Sequence, residues 1–347
     1  MKESIRALLL EGIQEGKFPG CQYAIVTPNS IDFDYVGQKQ IVPTVEATLG
    51  NEIYDVASLS KVVSTTTLTL KLVEKGLLSF ETTVSSVLPR FKHEHITIKD
   101  LLGHCSGLPA DIKNAKALKN KDEVFEKIYE MGLIYETGKD YVYSDCGFIL
   151  LGEIIETITK EKINKLAEAW IFKPLGMKDS SYLPDLSRVV PTELREDDVY
   201  QGLLKGKVHD EKSFAMEGLS GHAGLFSTAS DLAIFIQSIL NDKFILSKEM
   251  TEYLFKPIIS KEISGLSVTR TYGWLKPDKG SFAGHFHDLN ETIGHTGFTG
   301  CHMFIDRKNK IGFVLLSNAV HPKRELNGII PLRSKIGDII YQKGGIL

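Results

Sequence analysis

Ser58-Leu59-Ser60-Lys61 brings together two side chains that could do chemistry. Residues 62–75 read as a helix closed by Gly76, and Ser58 and Lys61 stand three apart at its start, so both fall on one face and can touch. A free serine hydroxyl is a poor nucleophile. An adjacent amine can take its proton, and a helix N-terminus favours the negative charge that develops on attack. The pair is a candidate nucleophile and base. The plainer alternative makes Ser58 a helix cap and Lys61 a solvated helix residue, and these four residues alone do not choose between them.

Two more stretches place polar side chains beside turns. Tyr141-Val142-Tyr143-Ser144-Asp145 follows the loop Thr137-Gly138-Lys139 and precedes a helical pattern over 148–158. Gly294-His295-Thr296-Gly297-Phe298-Thr299-Gly300 runs into a strand pattern. A phenol such as that of Tyr143 supplies little base near neutral pH unless neighbouring cations favour the phenolate. Gly297 leaves room for a close backbone approach.

Other clusters point to other chemistries. Gly103-His104-Cys105-Ser106-Gly107 has the spacing of a cysteine nucleophile elbow, but Ile98, Leu101 and Leu102 before it have helical spacing, whereas an elbow follows a strand. Cys105 therefore reads as packing. His285-Phe286-His287-Asp288 lacks further ligands at metal-site spacing and reads as a surface loop. His222 and the pair His209-Asp210 are candidates for a cleft wall, with a structural histidine bonded to carbonyls as the equal alternative. There is no Walker or dinucleotide loop. Neither a metal nor a cofactor is expected.

These residues need a scaffold. Gly20 to Val26 and Ile31 to Val36 are β-rich runs split by Thr27-Pro28-Asn29-Ser30, and Cys301 to Ile305 and Ile311 to Leu316 flank a turn over 306–310; both read as hairpins. Between Leu77 and about Ser220 the patterns are helical, clearest over 98–102, 124–129, 148–158 and 163–172, with no strong strand. A first amphipathic helix and a last one near 333–341 frame the chain. Strands at both ends around a helical middle predict an α/β (α+β) architecture, an antiparallel sheet flanked by helices. The expected division is 1–76 and 226–347 as two parts of the sheet domain, with 77–225 as a mostly helical insertion.

Composition bounds the rest. With 347 residues, 42% hydrophobic and 24% charged, the chain suits a large globular fold. A net charge of −3 gives no general attraction to nucleic acid or an anionic membrane. The N-terminal helix is interrupted by Arg6, Glu11 and Glu15, unlike a signal peptide, and no apolar run is long enough to span a membrane. Cys21, Cys105, Cys146 and Cys301 match no disulfide or metal framework, so a cytoplasmic protein with reduced thiols is expected.

In the order Ser-x-x-Lys, Tyr-x-Asp, His-Thr-Gly, the chain resembles the serine β-lactamase and penicillin-binding protein superfamily, in the branch of class C β-lactamases, DD-peptidases and related esterases. Thr97 to Pro109, Ile171 to Tyr182 and Gly221 to Leu232 resemble it too, and the likeness runs from about residue 15 to 320. The resemblance implies the β-lactamase/transpeptidase fold and a metal-free serine hydrolase working through an acyl-enzyme on a small-molecule or short-peptide ester or amide. It makes Ser58 the nucleophile, with Lys61 and Tyr143 sharing the proton traffic and the backbone N–H groups of Ser58 and Phe298 as the oxyanion hole. Asp145, His295, Thr296 and Gly297 would bind substrate.

Two departures bear on specificity. Asp145 stands where the family usually has asparagine, and an ionised carboxylate only accepts hydrogen bonds. It would pair with Lys61 or select a substrate bearing a donor or positive charge. His295 replaces the lysine of β-lactamases and should grip a substrate carboxylate less firmly. An esterase or D-amino-acid peptidase is therefore expected ahead of a β-lactamase or DD-carboxypeptidase, with a catalytically silent binding protein as the rival from another class. Ser144-Asp145-Cys146 could also be read as a class A motif, with Ser144 as the relay.

Overall fold

Gly20–Val26 is buried along its whole length in the computed structural model, which describes residues 1–263 and 265–344. Ser264 and residues 345–347, all within the expected third segment, lie outside the described residues. A strand without a wet face needs a partner on each side and cover above and below. Ile31–Gln40 pairs with one edge and Ile311–Ser317 with the other, both antiparallel.

Among the described residues the sheet has nine strands, ordered Glu46–Ala47, Ile31–Gln40, Gly20–Val26, Ile311–Ser317, His302–Asp306, Thr292–Thr296, Leu275–Lys276, Leu266–Arg270 and Ile259–Ile263. All neighbouring pairs are antiparallel. Both ends of the chain thus build one sheet, which juxtaposes residues almost three hundred positions apart, such as Cys21 and Ser317. Lys2–Gln14 and Ile330–Lys343 cover one face through Ile5, Leu9, Ile336 and Ile340, packed on Tyr23, Phe304 and Phe313. Ala229–Leu240 covers the other and joins the larger core that runs into the helical segment. Burying each such aliphatic side chain contributes ~1.5–3 kcal/mol.

The expected helices are present as Ile98–Leu102, Lys121–Glu130, Asp145–Thr159 and Ile163–Ala167, the last continued by a π turn over Glu168–Phe172. One expectation is corrected. The stretch before Ser220 is not free of strands, because Pro191–Glu196 and Gln201–Lys205 form a hairpin. Neither run shows a strand alternation: PTELRE carries three charges, and QGLLK sets two adjacent leucines after a glycine. Among the described residues no helix is long and apolar enough to cross a membrane.

Candidate active site

The Ser58 turn is held from both sides. Asp55 Oδ1 accepts the Ala57 N–H at 2.8 Å, and Ala57 sits at φ 48°, a left-handed conformation that costs a residue with a Cβ. That turn delivers Ser58 to the head of the helix, whose first stretch, Lys61–Thr66, is a π turn before Thr67–Glu74 continues as α-helix. Lys61 is fully buried. Its Nζ donates to Ser58 Oγ and to the His222 carbonyl, each at 2.9 Å, and lies 2.8 Å from Asp145 Oδ1. The sequence thus places hydroxyl and amine in contact, and the solvated-lysine alternative is excluded.

Burial penalises the Lys61 ammonium, but Asp145 and Tyr143 outweigh that and hold it above its ordinary value. With three oxygens around three N–H bonds, Lys61 rests as a cation. The His222 carbonyl reaches it because Gly221 lies against the helix Asp145–Thr159: a Cβ there would stand 2.1 Å from the Phe148 carbonyl oxygen. Thr65, four residues after Lys61, fixes the same segment by donating to Gly221 O at 2.6 Å.

The landmark loop around His104 cradles the second motif. Val142 N–H donates to His104 O, Ser144 N–H to His104 Nδ1 and Asp145 N–H to Ala110 O. Ser144 is spent on structure: its Oγ donates to Pro109 O at 2.7 Å and caps the Asp145–Thr159 helix through Gly147 N–H. Ser144→Ala should cost about 1 kcal/mol of stability in a urea titration and leave turnover within a few-fold. Tyr143 faces the cleft beside Ser58, its Oη buried with no hydrogen-bond partner among the described residues.

The third motif divides in two. His295 is buried beneath the cleft, not on its wall. Its Nδ1 donates to Thr296 O at 2.8 Å, which leaves Nε2 as an acceptor with no partner among the described residues. Burial, then Arg270 and Lys61, push its pKa well below the ordinary histidine value, so it is neutral. Thr296 and Phe298 do line the cleft. The room that Gly297 provides is filled by the chain itself: a Cβ there would meet Val56 O at 2.6 Å. That contact draws the Phe298 segment against the Ser58 turn. Neither the Ser58 nor the Phe298 N–H has an acceptor among the described residues.

The cleft, about 400 Å³, holds side chains that no motif signals. Lys212 is buried among three carboxylates, Asp111 at 2.8 Å, Asp210 at 3.0 Å and Asp145 at 3.2 Å. Asp145 is thereby shared by two ammonium groups; burial penalises its charge, but Lys61, His222 and Lys212 together outweigh that and lower its pKa. Arg324 closes the far side, held by Glu193 and Glu211. His209, stacked on Phe298, and His222 both line the cleft. His222 joins Ser220 Oγ (2.8 Å) to Asp210 Oδ1 (2.7 Å), a serine–histidine–aspartate contact series. Ser220 is buried and absent from the cleft wall, so no carbonyl carbon can reach it. Asp145, Asp210 and His222 bring ligand atoms within 4.8 Å of one another, but the Lys212 ammonium already stands between the two carboxylates.

A serine in contact with a buried lysine, a tyrosine beside them and two free N–H groups facing one cleft are the parts of a serine acyl-transfer site. Comparison with known proteins agrees. The family model described as Beta-lactamase matches residues 5–335. The N-acetylmuramyl-L-alanine amidase of Bacillus subtilis (strain 168) is 33% identical over 302 residues, covering 78% of this chain and 68% of that protein. An octameric penicillin-binding protein homologue from Pyrococcus abyssi superposes with a TM-score of 0.78 at 21% identity, covering 98% of this chain and 77% of that one. A class C β-lactamase superposes at 0.74 with 18% identity, covering 96% and 95%. The fold is that of the β-lactamases and transpeptidases, and the enzyme class is serine hydrolase acting through an acyl-enzyme. The chain belongs to the β-lactamase family.

Proposed function

We propose that the chain hydrolyses esters or amides without a carboxylate beside the scissile bond, with Ser58 as nucleophile and Tyr143, as phenolate, as base. Lys61 is already an ammonium with its three oxygens, so it orients Ser58 Oγ rather than receiving its proton. As Oγ adds to the substrate carbonyl carbon, its proton passes to Tyr143 Oη, and the carbonyl π pair moves onto the oxygen facing the Ser58 and Phe298 N–H groups. Collapse expels the leaving group, which takes the proton back from Tyr143, and water repeats the cycle on the acyl-enzyme. Each oxyanion donor is typically worth ~3 kcal/mol of barrier. The engagement of Ser144 Oγ with Pro109 supports Tyr143 over the class A register. Tyr143→Phe should therefore lose ~100-fold or more in turnover with its melting temperature retained.

The observation that carries the specificity is the charge balance of the cleft. Four carboxylates line it (Asp111, Asp145, Asp210, Glu211) against two permanent cations, Lys212 and Arg324, and both cations are already paired. His295, neutral and buried, offers no third. A substrate carboxylate would meet like charge, whereas hydroxyl and N–H donors would meet acceptors. Wild-type kcat/KM should be higher for a neutral short-chain ester than for a cephalosporin or a D-alanyl-D-alanine peptide. The reverse order would make the chain a β-lactamase or DD-carboxypeptidase.

The 33% identical relative favours a second reading, against the charge of the cleft wall, an amidase of a muramyl amide. Release of alanine from N-acetylmuramyl-L-alanine faster than ester cleavage would select it. The four cysteines are free and buried, which supports the cytoplasmic setting that belongs to this proposal.

A further inference from the structure

Arg333 stands on the helix Ile330–Lys343, is 8% exposed and has no place on the cleft wall. Its Nη2 donates to Cys301 O at 3.1 Å and lies 3.5 Å from Gly297 O, and its Nε is buried without a partner among the described residues. Neither acceptor is a carboxylate, and among the described residues no carboxylate pairs with it. Burial pushes its pKa down to about 10, so it is still a cation at neutral pH. The ionisable groups beside it supply no counter-charge: burial keeps the Cys301 thiol protonated, and burial, then Arg333, hold His302 neutral. Taking a guanidinium out of water without a counter-ion is costly, and a merely structural arginine in such a place is normally paired.

Both carbonyls near Arg333 belong to the turn that presents Phe298. Gly297 N–H donates to Cys301 O at 2.7 Å and Gly300 N–H to Gly297 O at 3.2 Å, so each carbonyl has a backbone donor without the arginine. Asn327 holds the carbonyl between them, donating from Nδ2 to Phe298 O at 3.2 Å. Gly297 O and Phe298 N–H are the two ends of one trans peptide and point in opposite directions. With the oxygen turned toward Arg333, the N–H is turned toward the cleft, where it has no acceptor among the described residues. A cation at the oxygen end of a peptide strengthens the donor at the other end, the more so in a buried, low-dielectric setting. The negative charge that comes to that donor is the oxyanion of the tetrahedral intermediate, which the resting enzyme does not carry.

We propose that Arg333 is a positioning residue: through the Gly297–Phe298 peptide its charge orients and polarises the Phe298 N–H as an oxyanion donor. The proposal rests on the serine-hydrolase reading with that N–H in the oxyanion hole. Arg333 touches neither substrate nor the reacting atoms and keeps its own proton throughout the cycle. Acylation and deacylation both pass through an oxyanion, so it acts on both steps.

The test compares wild type, Arg333→Met and Arg333→Lys on a neutral ester. Removing a whole oxyanion donor typically costs ~100-fold or more, so weakening one in Arg333→Met should lower kcat about tenfold or more. KM follows the ratio of the two steps, which slow together, and should move by less than about threefold. Because Gly297 O and Cys301 O keep their backbone donors, the melting temperature should not fall. Arg333→Lys, which keeps the charge, should turn over faster than Arg333→Met. The infrared stretch of an isotope-labelled acyl carbonyl trapped on Ser58 should lie higher in Arg333→Met than in wild type, since a weaker hydrogen bond leaves the carbonyl more double-bond character. An unchanged kcat, a lower kcat with the stretch at its wild-type position, or an Arg333→Lys no faster than Arg333→Met overturns the proposal. Should Arg333→Met not fold, Arg333→Gln takes its place with the same outcomes, and failure of both to fold makes the arginine structural and overturns it equally. Formation of the acyl adduct in Ser58→Ala would instead remove the reading beneath it, whatever Arg333 does.

Discussion

Ser58→Ala lowers ester turnover by on the order of 10⁴-fold or more while the protein melts at the wild-type temperature. The size follows from the covalent route: without Oγ no acyl-enzyme forms, and what remains is the contribution of two oxyanion donors and binding. The stability expectation follows from the turn, since Ala57, Asp55 and the Lys61 contacts to His222 and Asp145 survive the change. The Ser220–His222–Asp210 series offers no substitute nucleophile, because Ser220 is sealed from the cleft. Retention of more than a hundredth of wild-type turnover would count against the assignment.

The second large effect is on stability. Asp145→Ala leaves the buried Lys61 ammonium without a counter-ion, a change that typically costs ~3–5 kcal/mol. Lys212 keeps Asp111 and Asp210, so the loss falls mainly on Lys61. The sign of its pH dependence follows from both partners. The Asp145 carboxyl is below its ordinary value, so its contribution is present above the unfolded carboxyl pKa and lost as pH falls through the native one. The Lys61 amine is above its ordinary value, so its share is present below the unfolded amine pKa and lost as pH rises through the native one. The stability gap between wild type and Asp145→Ala should hold from about pH 5 to about pH 9 and close at either end. Urea midpoints across that range measure it. A gap that persists undiminished in acid, or one below about 1 kcal/mol at neutral pH, contradicts the ion-pair account.

What the sequence made legible was local. Ser58 and Lys61 declare their contact because helical spacing alone sets it, and the hairpins near residues 26–31 and 306–311 announce themselves by apolar runs around polar turns. Asp145 was legible as a departure with two outcomes, and the geometry selects pairing with Lys61. His295 was legible as a motif residue but not as a buried neutral one, since burial depends on Tyr143 and Arg270 arriving from other segments. Lys212, Arg324 and Arg270 carried no signal. Each is a single charged residue in a polar stretch, brought to the site by tertiary packing. The strands Ile259–Ile263 and Leu275–Lys276 were likewise hidden, one mostly solvent-facing and charged, the other two residues long.

The central claim is that Ser58 becomes acylated. Intact-mass measurement after exposure to a fluorophosphonate, followed by peptide mapping, tests it most directly. A single adduct located on Ser58, present in wild type and absent from Ser58→Ala, is the expected result. Full labelling of Ser58→Ala, or an adduct on Cys105 or Ser220 in wild type, would contradict it.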